Sequence, residues 1–372
     1  MRGALKPLPG VGEVTVRPGR RAFSVYYDPA KSKPDEMLAA LKKAGEEARL
    51  QAPRAGPAPT ADPRPEEPVQ AVLRAFDRFP VVAVADPTAL EEEHEFLASL
   101  IRHPAFPEKA ASLVLDFGNS LHQGVLDRYI SGEEVPMEQL RGVWRDGLYS
   151  PFSSWEAPVY ERLLGTVRAV NRSLAKEKRL RVLVTGPPID WRKIETSADH
   201  GKFREAHGKP EKALLASTIE REVLDRGRKC LVVASREDVL RKSETGAAAR
   251  LEKRRPGSVF VITPHLGLGD RNGELEPRLT RWQAPSLAIL KETWLGAIDE
   301  DEFTFAEVAD GYLYLGPRRA LTISRPSPEI YRDDRYFAEL ERRYRIQAGD
   351  PSAKLDREPF LKEKPRRLEE SD

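Results

Sequence analysis

Six short runs of apolar residues, separated by amphipathic helical stretches, constrain the fold of this chain more than any other feature. The runs show no regular alternation of apolar and polar residues, which is typical of parallel strands that are covered on both faces. They are VVAVAD (81–86), SLVLDF (112–117), LRVLVTG (180–186), KCLVVA (229–234), SVFVIT (258–263) and GYLYLG (311–316). This alternation of strands and helices predicts an α/β domain over residues 69–346, with a mainly parallel sheet flanked by helices.

The segments on either side of this domain differ from it in composition. Residues 1–50 are predicted to form a small α+β unit, with strands in GEVTVRP and RRAFSVYYD and a helix in KPDEMLAALKKAGEEA. Residues 51–68 contain six prolines and are expected to form a semi-extended linker. Residues 347–372 are mostly charged and are expected to be disordered. Inside the domain, the polar segment 195–212 is expected to be a solvated loop.

Charge and hydropathy argue against two classes of partner. The chain has 61 basic and 59 acidic residues and a net charge of +2, whereas proteins that track a nucleic-acid backbone need a basic excess. No apolar run approaches the roughly 20 residues of a membrane span, and the N-terminus lacks the apolar core of a signal peptide. We therefore expect a cytoplasmic protein. The single cysteine, Cys230, lies in an apolar run and is expected to be a core residue.

The N-terminal unit resembles a known family through LPGVGEVTV and FSVYYDPAKSKPDEMLAALKKAGEEA. These segments resemble the heavy-metal-associated domain of copper chaperones and metal-pumping ATPases. The resemblance implies a ferredoxin-like βαββαβ fold, here incomplete, and a metal held by the two cysteines of a C-x-x-C motif. Both cysteines are absent, although soft metals need thiolate ligands. Either an upstream start restores the pair, or the unit is a protein-interaction module without metal.

The larger domain, over roughly residues 72–346, resembles a bacterial branch of a superfamily. That superfamily joins erythromycin-esterase-like hydrolases, haem-uptake ChaN-like proteins and Tiki/TraB-type metalloproteases. The matching segments are EHEFLASLIRHPAF, LDFGNSLHQGVLDRYISGEEVPMEQLRGVWRD, WEAPVYERLLGTVRAVNR, GPPIDW and DGYLYLGPRRALTISRPSPEIY. The resemblance implies chemistry by acids and histidines at the ends of strands.

Four motifs of that superfamily are altered in this chain. Its Gly-Glu-x-His is Ala-Asp-Pro-Thr at residues 85–88, and its Glu before Phe-Gly-Asn is Asp116. Its Asp before Pro-Pro-Ile-Asp-Trp is Gly186, and its Gly-Gly-Gly-His is Ser-Arg-Glu-Asp at residues 235–238. The loss of both histidines removes a proton carrier and a metal ligand. We therefore interpret the turn at residues 86–88 as a former site and the protein as a pseudoenzyme.

Some side chains could still form a site at the carboxyl edge of the sheet. Carboxylates suit hard divalent cations, and the candidate metal ligands are Asp86, Asp116, Asp190 and Asp238. The candidate catalytic residues are Asp116, Asp190 and His265, and the candidate haem ligands are His265 and His122. The alternative for each is structural, as a helix cap or a core histidine. His94 and His200 are expected to be exposed, and the acids of EEEHE (91–95) are expected only to favour a helix N-terminus.

Three functions follow from these observations. The favoured one is a non-catalytic or weakly catalytic binding or scaffold protein, linked to metal-ion handling and to a protein partner through the N-terminal unit. The alternative is a metal-dependent hydrolase that uses Asp86, Asp116, Asp190 and His265. A third is haem binding through His265 or His122.

Overall fold

The six predicted strands form the parallel part of a seven-stranded sheet. A computed structural model describes residues 2–16, 23–48, 50, 61–86, 89–151, 155–243, 245–267, 272–300 and 303–371. Its strands are β1 Val11–Val16, β2 Phe23–Tyr27, β3 Val81–Ala85, β4 Ser112–Asn119, β5 Arg181–Gly186, β6 Cys230–Ala234, β7 Val259–Pro264, β8 Ser286–Ile289, β9 Asp299–Glu300, β10 Phe303–Thr304, β11 Gly311–Tyr314, β12 Thr322–Ile323 and β13 Arg366–Arg367.

The helices are named in the same way. They are α1 Arg2–Leu5, α2 Pro34–Lys43, α3 Pro68–Arg78, α4 Glu91–Arg102, α5 Phe106–Lys109, α6 Gln123–Ser131, α7 Met137–Arg145, α8 Pro158–Ser173, α9 Ser197–Glu222, α10 Arg236–Val239, α11 Ala247–Arg254, α12 Asn272–Leu279, α13 Phe305–Val308, α14 Pro328–Arg332, α15 Asp334–Ala348 and α16 Glu358–Leu361. Among the helices of these described ranges, none is both long and apolar enough to cross a membrane.

The strand order of the sheet is β5-β4-β6-β3-β7-β11-β8. All neighbouring pairs are parallel except β8, which runs antiparallel to β11 at one edge. The edge strand β8 was not predicted, because it is short, follows a proline and exposes 43% of Ile289. The predicted α/β fold class, with a mainly parallel sheet, is confirmed.

Both faces of the sheet are buried, which explains why its strands read as continuous apolar runs. Alternate residues of β3, such as Val82 and Val84, pack in one core with α3, α4, α6, α7 and α8. The intervening residues, Val81 and Ala83, pack in a second core with α9, α11 and α13. Each fully buried aliphatic side chain of valine size or larger contributes about 1.5–3 kcal/mol.

The N-terminal unit has the two strands and the helix that the sequence predicts. Its elements follow in the order α1, β1, β2 and α2, and β1 pairs antiparallel with β2. A small core contains Leu5, Val14, Met37 and Leu41. The ferredoxin-like assignment, which needs two further strands, stays a prediction.

The end of the predicted linker follows the edge of the sheet. Glu66 and Leu287 of β8 exchange two backbone hydrogen bonds of 3.0 Å, and the Trp294 N–H donates to the Ala61 carbonyl oxygen at 3.0 Å. Residues 61–67 thereby satisfy part of an edge that would otherwise be open to pairing with another chain. The remaining linker residues, 51–60, lie outside the described ranges.

The polar segment expected to be a loop is instead the first half of α9. Thr196 and Asp199 form a capping box at its start, and the second half of the helix buries Leu215 and Ile219. His200 was expected to be exposed, but it is buried and stacks on Trp191 with ring centroids 5.5 Å apart. Capping and packing therefore outweigh the weak helix propensity of the segment.

The charged tail also differs from the expectation of disorder. Strand β13 pairs antiparallel with β12, and Leu368 is only 4% exposed in the core on the α8 side of the sheet. Phe360 packs against Tyr331 and Phe337. A few apolar residues spaced among the charges are therefore enough to hold the tail against the domain.

The docked tail leads to a stability prediction. Leu368→Ala should lower the free energy of unfolding by about 2 kcal/mol, the lower end of the range for a buried leucine. Leu361→Ala is the matched control, because Leu361 is only partly buried and should cost less. Urea unfolding measures both variants. An unchanged midpoint for Leu368→Ala would contradict the docked position of the tail.

Candidate functional site

A crevice is expected at the carboxyl ends of β4, β6, β3 and β7. After β3 and β4 the chain continues into α4 and α6, which pack in the first core. After β6 and β7 it continues into α10 and α12, which pack in the second core. Neighbouring strands in the order β4-β6-β3-β7 therefore send their connections to opposite faces. Ligands of open α/β sheets bind where connections diverge in this way.

Three of the four aspartates predicted as metal ligands meet at this edge. In the register of the sheet, Ala85 of β3 lies opposite Ala234 of β6, and Leu115 of β4 lies opposite Val233 of β6. Asp86 and Asp116, the residues that follow Ala85 and Leu115, are therefore one residue apart in register. Asp238 follows on α10. The charges of Asp238 and Asp86 both act on the Asp116 carboxyl. We call Asp86, Asp116, Asp238 and Glu93, described below, the acid cluster.

Asp116 is one member of the acid cluster that can hold a proton near neutral pH. Burial of its carboxyl raises the pKa of Asp116 to about 7, the Ser235 backbone N–H opposes this shift, and the charges of Asp238 and Asp86 add to it. The Ser235 N–H donates to Asp116 Oδ2 at 2.7 Å. The residue as a whole is partly exposed. A carboxyl with this pKa is present in both protonation states near neutral pH.

Asp86 is the ionised counterpart of Asp116. Burial would raise the pKa of Asp86, but hydrogen bonds from His94, the Ala89 N–H and the Tyr160 hydroxyl outweigh burial and hold the pKa below its usual value. His94 Nε2 lies 3.2 Å from Asp86 Oδ2, and the Ala89 N–H donates to Asp86 Oδ1 at 2.9 Å. Two neighbouring carboxyls whose pKa values are pushed apart are typical of an acid and base pair.

His94 was expected to be exposed, and this expectation is wrong; Glu93 was expected only to favour the N-terminus of a helix. Glu93 is fully buried at the start of α4, and His94 is 4% exposed. Neither carboxyl oxygen of Glu93 has a hydrogen-bond partner among the described residues. Burial, followed by the charge of Asp86, raises the pKa of Glu93 well above its usual value. The sequence held a signal, because Glu93 precedes Leu97 by four residues and so lies on the apolar face of the helix.

Aromatic side chains and one arginine complete the surroundings of the acid cluster. Phe117 stacks on Trp155 with centroids 4.6 Å apart, and Tyr160 packs edge-on against both rings. Arg236 donates to the Thr263 hydroxyl oxygen at 3.2 Å, and its positive charge reaches Glu93. Burial raises the pKa values of Asp116 and Glu93, whereas hydrogen bonds outweigh burial at Asp86.

Asp190 does not join the acid cluster. It caps the 3-10 turn at Trp191–Lys193, where Asp190 Oδ1 accepts from the Arg192 N–H at 3.2 Å and from Arg192 Nε at 2.8 Å. The hydrogen bond from the Arg192 side chain is the main reason that the pKa of Asp190 is lowered. Its position therefore matches the structural alternative of a helix cap.

His265 also has its polar contacts elsewhere. It is 1% exposed; His265 Nδ1 lies 2.7 Å from the Tyr312 hydroxyl oxygen, and Nε2 lies 3.9 Å from Glu276 Oε1. Burial lowers the pKa of His265 to about 4. The rings of Tyr312 and Tyr314 pack at 5.8 and 5.5 Å. These contacts place a neutral histidine in the core rather than beside Asp116.

His122 lies on the 3-10 turn that follows β4. His122 Nε2 is 3.1 Å from Asp146 Oδ2, and Asp146 also accepts from Arg343 at 2.6 Å. The side chain is partly exposed. Its partner is therefore Asp146 on the loop after α7, outside the acid cluster. Of the turn interpreted as a former site, Pro87 and Thr88 lie outside the described residues.

The acid cluster does not fit a divalent cation. Within the described ranges, no group of three or more histidine, cysteine, aspartate or glutamate side chains is arranged to hold a metal ion. The carboxylates also have other partners, since Asp86 binds His94 and Tyr160 while Asp116 and Asp238 bind Ser235.

Comparison with known proteins gives similar folds but no family. No family model matches the sequence, and no curated protein matches it. A Bacillus cereus protein is 10% identical with a TM-score of 0.42, over 66% of this chain and 90% of that chain. An erythromycin esterase mutant in its open conformation is 12% identical with a TM-score of 0.47, over 67% and 94%. A succinoglycan biosynthesis protein is 8% identical with a TM-score of 0.46, over 68% and 91%. Likenesses at this level assign neither a family nor an activity.

Proposed function

We propose that the acid cluster is the active site of a hydrolase that works by proton transfer. The observation that carries this proposal is Asp116, whose buried carboxyl has a pKa of about 7 and lies within range of the charge of the ionised Asp86. Strongly shifted carboxyls that share one crevice are typical of catalytic sites. The proposal keeps the hydrolase alternative from the sequence, without Asp190 or His265 as catalytic groups and without a metal ligand set.

The role of Asp116 follows from its protonation state. A general acid is most effective when its pKa lies near the working pH, and such a group contributes on the order of 10²–10⁴ in rate. Neutral Asp116 can donate its proton to the oxygen of a leaving alcohol. Asp86, held ionised by His94 and Tyr160, keeps negative charge beside Asp116 and so helps it to retain the proton until the bond breaks.

Turnover of p-nitrophenyl esters of short carboxylic acids tests this role. Asp116→Asn should lower kcat/KM about 100-fold, because an amide cannot donate the proton. Asp190→Asn is the matched control, since asparagine caps a helical turn as well as aspartate does. Equal rates for the wild type and Asp116→Asn, or a selective loss in Asp190→Asn, would contradict the proposal.

The role of Asp116 as an acid also predicts how kcat/KM of the same reaction changes with pH. A general acid must be protonated, so kcat/KM should fall as the pH rises through about 7. The residual activity of Asp116→Asn should lack this descending limb. A wild-type profile that stays flat from pH 6 to 9 would assign the proton transfer to another group.

A non-catalytic binding protein is the second candidate. One support is that Thr88 and Asp238 stand where the superfamily has histidines. Another is that the N-terminal unit has a small core of its own and could serve as a module that binds a protein partner. The N-terminal unit has no thiolate ligand for a soft metal, because the one cysteine of this sequence is Cys230. Haem binding has weaker support, since His265 and His122 already contact Tyr312 and Asp146.

A further inference from the structure

Ser235 occupies a position between two carboxyls of the acid cluster. It follows β6 directly, and its hydroxyl donates to Asp238 Oδ2 at 3.1 Å. Its backbone N–H donates to Asp116 Oδ2 at 2.7 Å, and its hydroxyl also hydrogen-bonds with the Asp116 carboxyl. The residue is partly exposed. A hydroxyl within reach of a carboxylate base and of a second proton-carrying carboxyl has the surroundings of an activated nucleophile.

The simplest structural explanation of this serine is incomplete. A serine three residues before an acid commonly caps a helix, because its hydroxyl accepts from a backbone N–H of the first turn. Ser235 precedes α10, but its hydroxyl makes no such capping bond. The hydroxyl is directed to side-chain carboxyls instead.

We propose that Ser235 is the nucleophile of this site and that its substrates are esters of carboxylic acids. This inference rests on the proposed hydrolase function and replaces water as the first attacking group. Asp238 takes the proton of the attacking hydroxyl, and Asp116 protonates the leaving alcohol.

The reaction has two half-reactions, acylation of Ser235 and hydrolysis of the acyl-enzyme. In the first, Ser235 Oγ bonds to the acyl carbon, its proton passes to the Asp238 carboxylate, and the alcohol leaves with the proton of Asp116. In the second, water attacks the acyl carbon and gives a proton to the Asp116 carboxylate. Ser235 Oγ then leaves and recovers its proton from Asp238. The products are a carboxylic acid and an alcohol, and no group is oxidised or reduced.

The charges of the site favour this substrate class. Two aspartates, Asp238 and Asp116, hydrogen-bond with the hydroxyl. A phosphate dianion would therefore meet the negative charge of Asp238, whereas an uncharged acyl ester would not be repelled. Arg236, the residue after the nucleophile, brings a positive charge to the same edge of the sheet. Positive charge near a reacting carbonyl stabilises the negative charge that develops on its oxygen.

An acyl-enzyme experiment with the full-length protein tests the inference. With p-nitrophenyl acetate, the wild type should release a burst of about one equivalent of p-nitrophenol, as expected for covalent catalysis. Mass spectrometry of the quenched protein should find one acetyl group on the peptide that contains Ser235. Ser235→Ala keeps the backbone N–H that binds Asp116, and it should lose the adduct and about 100-fold in turnover. Ser243→Ala is the control and should behave as the wild type does.

The outcomes separate the inference from the proposed function. Turnover that survives in Ser235→Ala but is lost in Asp116→Asn would overturn the nucleophile and leave the acid role in place. Turnover that survives in both variants would overturn both proposals. An acetyl group found only on other residues, or a wild type without burst and adduct, would also overturn the assignment of Ser235.

Discussion

Asp116→Asn is expected to raise the free energy of unfolding at pH 8 by up to about 4 kcal/mol and to leave it nearly unchanged at pH 4. The pKa of Asp116 is about 7 in the folded protein, against 3.8 for the free side chain. Between these pH values the unfolded chain releases the proton while the folded chain retains it. Stability therefore falls as the pH rises, by about 1.4 kcal/mol per pH unit, until the loss is complete above pH 7. Asparagine, which has no proton to lose, is free of this cost.

Urea unfolding of both proteins at pH 4, 6 and 8 measures the effect. The wild-type and variant stabilities should diverge as the pH rises, which is the opposite of a carboxyl held in an ion pair. Asp190→Asn is the control of opposite sign, because the pKa of Asp190 is lowered by Arg192. Parallel pH profiles for the wild type and Asp116→Asn would show that the Asp116 carboxyl titrates normally.

Glu93 should add to the same pH dependence. Its pKa is raised by burial and by the charge of Asp86, so its ionisation also destabilises the folded state at high pH. Glu93→Gln combined with Asp116→Asn should therefore give a flatter profile than Asp116→Asn alone. No further flattening would indicate that the Glu93 carboxyl has the same pKa in the folded and the unfolded chain.

Arg343→Met is expected to lower the free energy of unfolding by about 1.5–3 kcal/mol, because it removes a buried guanidinium that hydrogen-bonds to two half-buried acids. Arg343 lies on α15 with 5% of its surface exposed. It donates to Glu339 Oε1 at 2.7 Å, to Asp146 Oδ1 at 2.6 Å and to the Arg145 carbonyl oxygen at 2.8 Å. One side chain thus connects α15 with α7 and the loop that follows it.

Arg345→Met is the matched control on the same helix. Arg345 pairs with Glu341 and donates to the Ala353 carbonyl oxygen, but 39% of its side chain is exposed. A pair that remains in contact with solvent contributes about 0–1 kcal/mol. Thermal or urea unfolding compares the two variants. Similar losses in both would mean that Arg343 acts as an ordinary surface cation.

The strands could be predicted from the sequence because a strand that is buried on both faces is apolar at nearly every position. Residues 81–85 and 230–234 are apolar at every position, and the structure places these two strands side by side in the centre of the sheet. Strand β8 and the first half of α9 do not have such a continuous apolar run. The former is an exposed edge, and the latter is fixed by its capping box and by packing of its second half.

The site could be predicted only in part. Asp86, Asp116 and Asp238 were expected at the carboxyl edge because they follow predicted strands, and the structure brings them together. Asp190 follows a strand as well, but Arg192 two residues later holds it in a local cap. Glu93 was missed because a run of acids is typical of an exposed first turn. Only the position of the helix against the sheet shows which acid of that run is buried.

The pKa of the Asp116 carboxyl is the measurement that tests this account most directly. Carbon-detected NMR of protein labelled with ¹³C at the aspartate carboxyls, with Asp116→Asn to assign the resonance, would follow its titration. A midpoint near pH 7, with the Asp86 resonance already ionised at pH 5, is the predicted result. A midpoint near pH 4 for Asp116 would contradict its role as the acid.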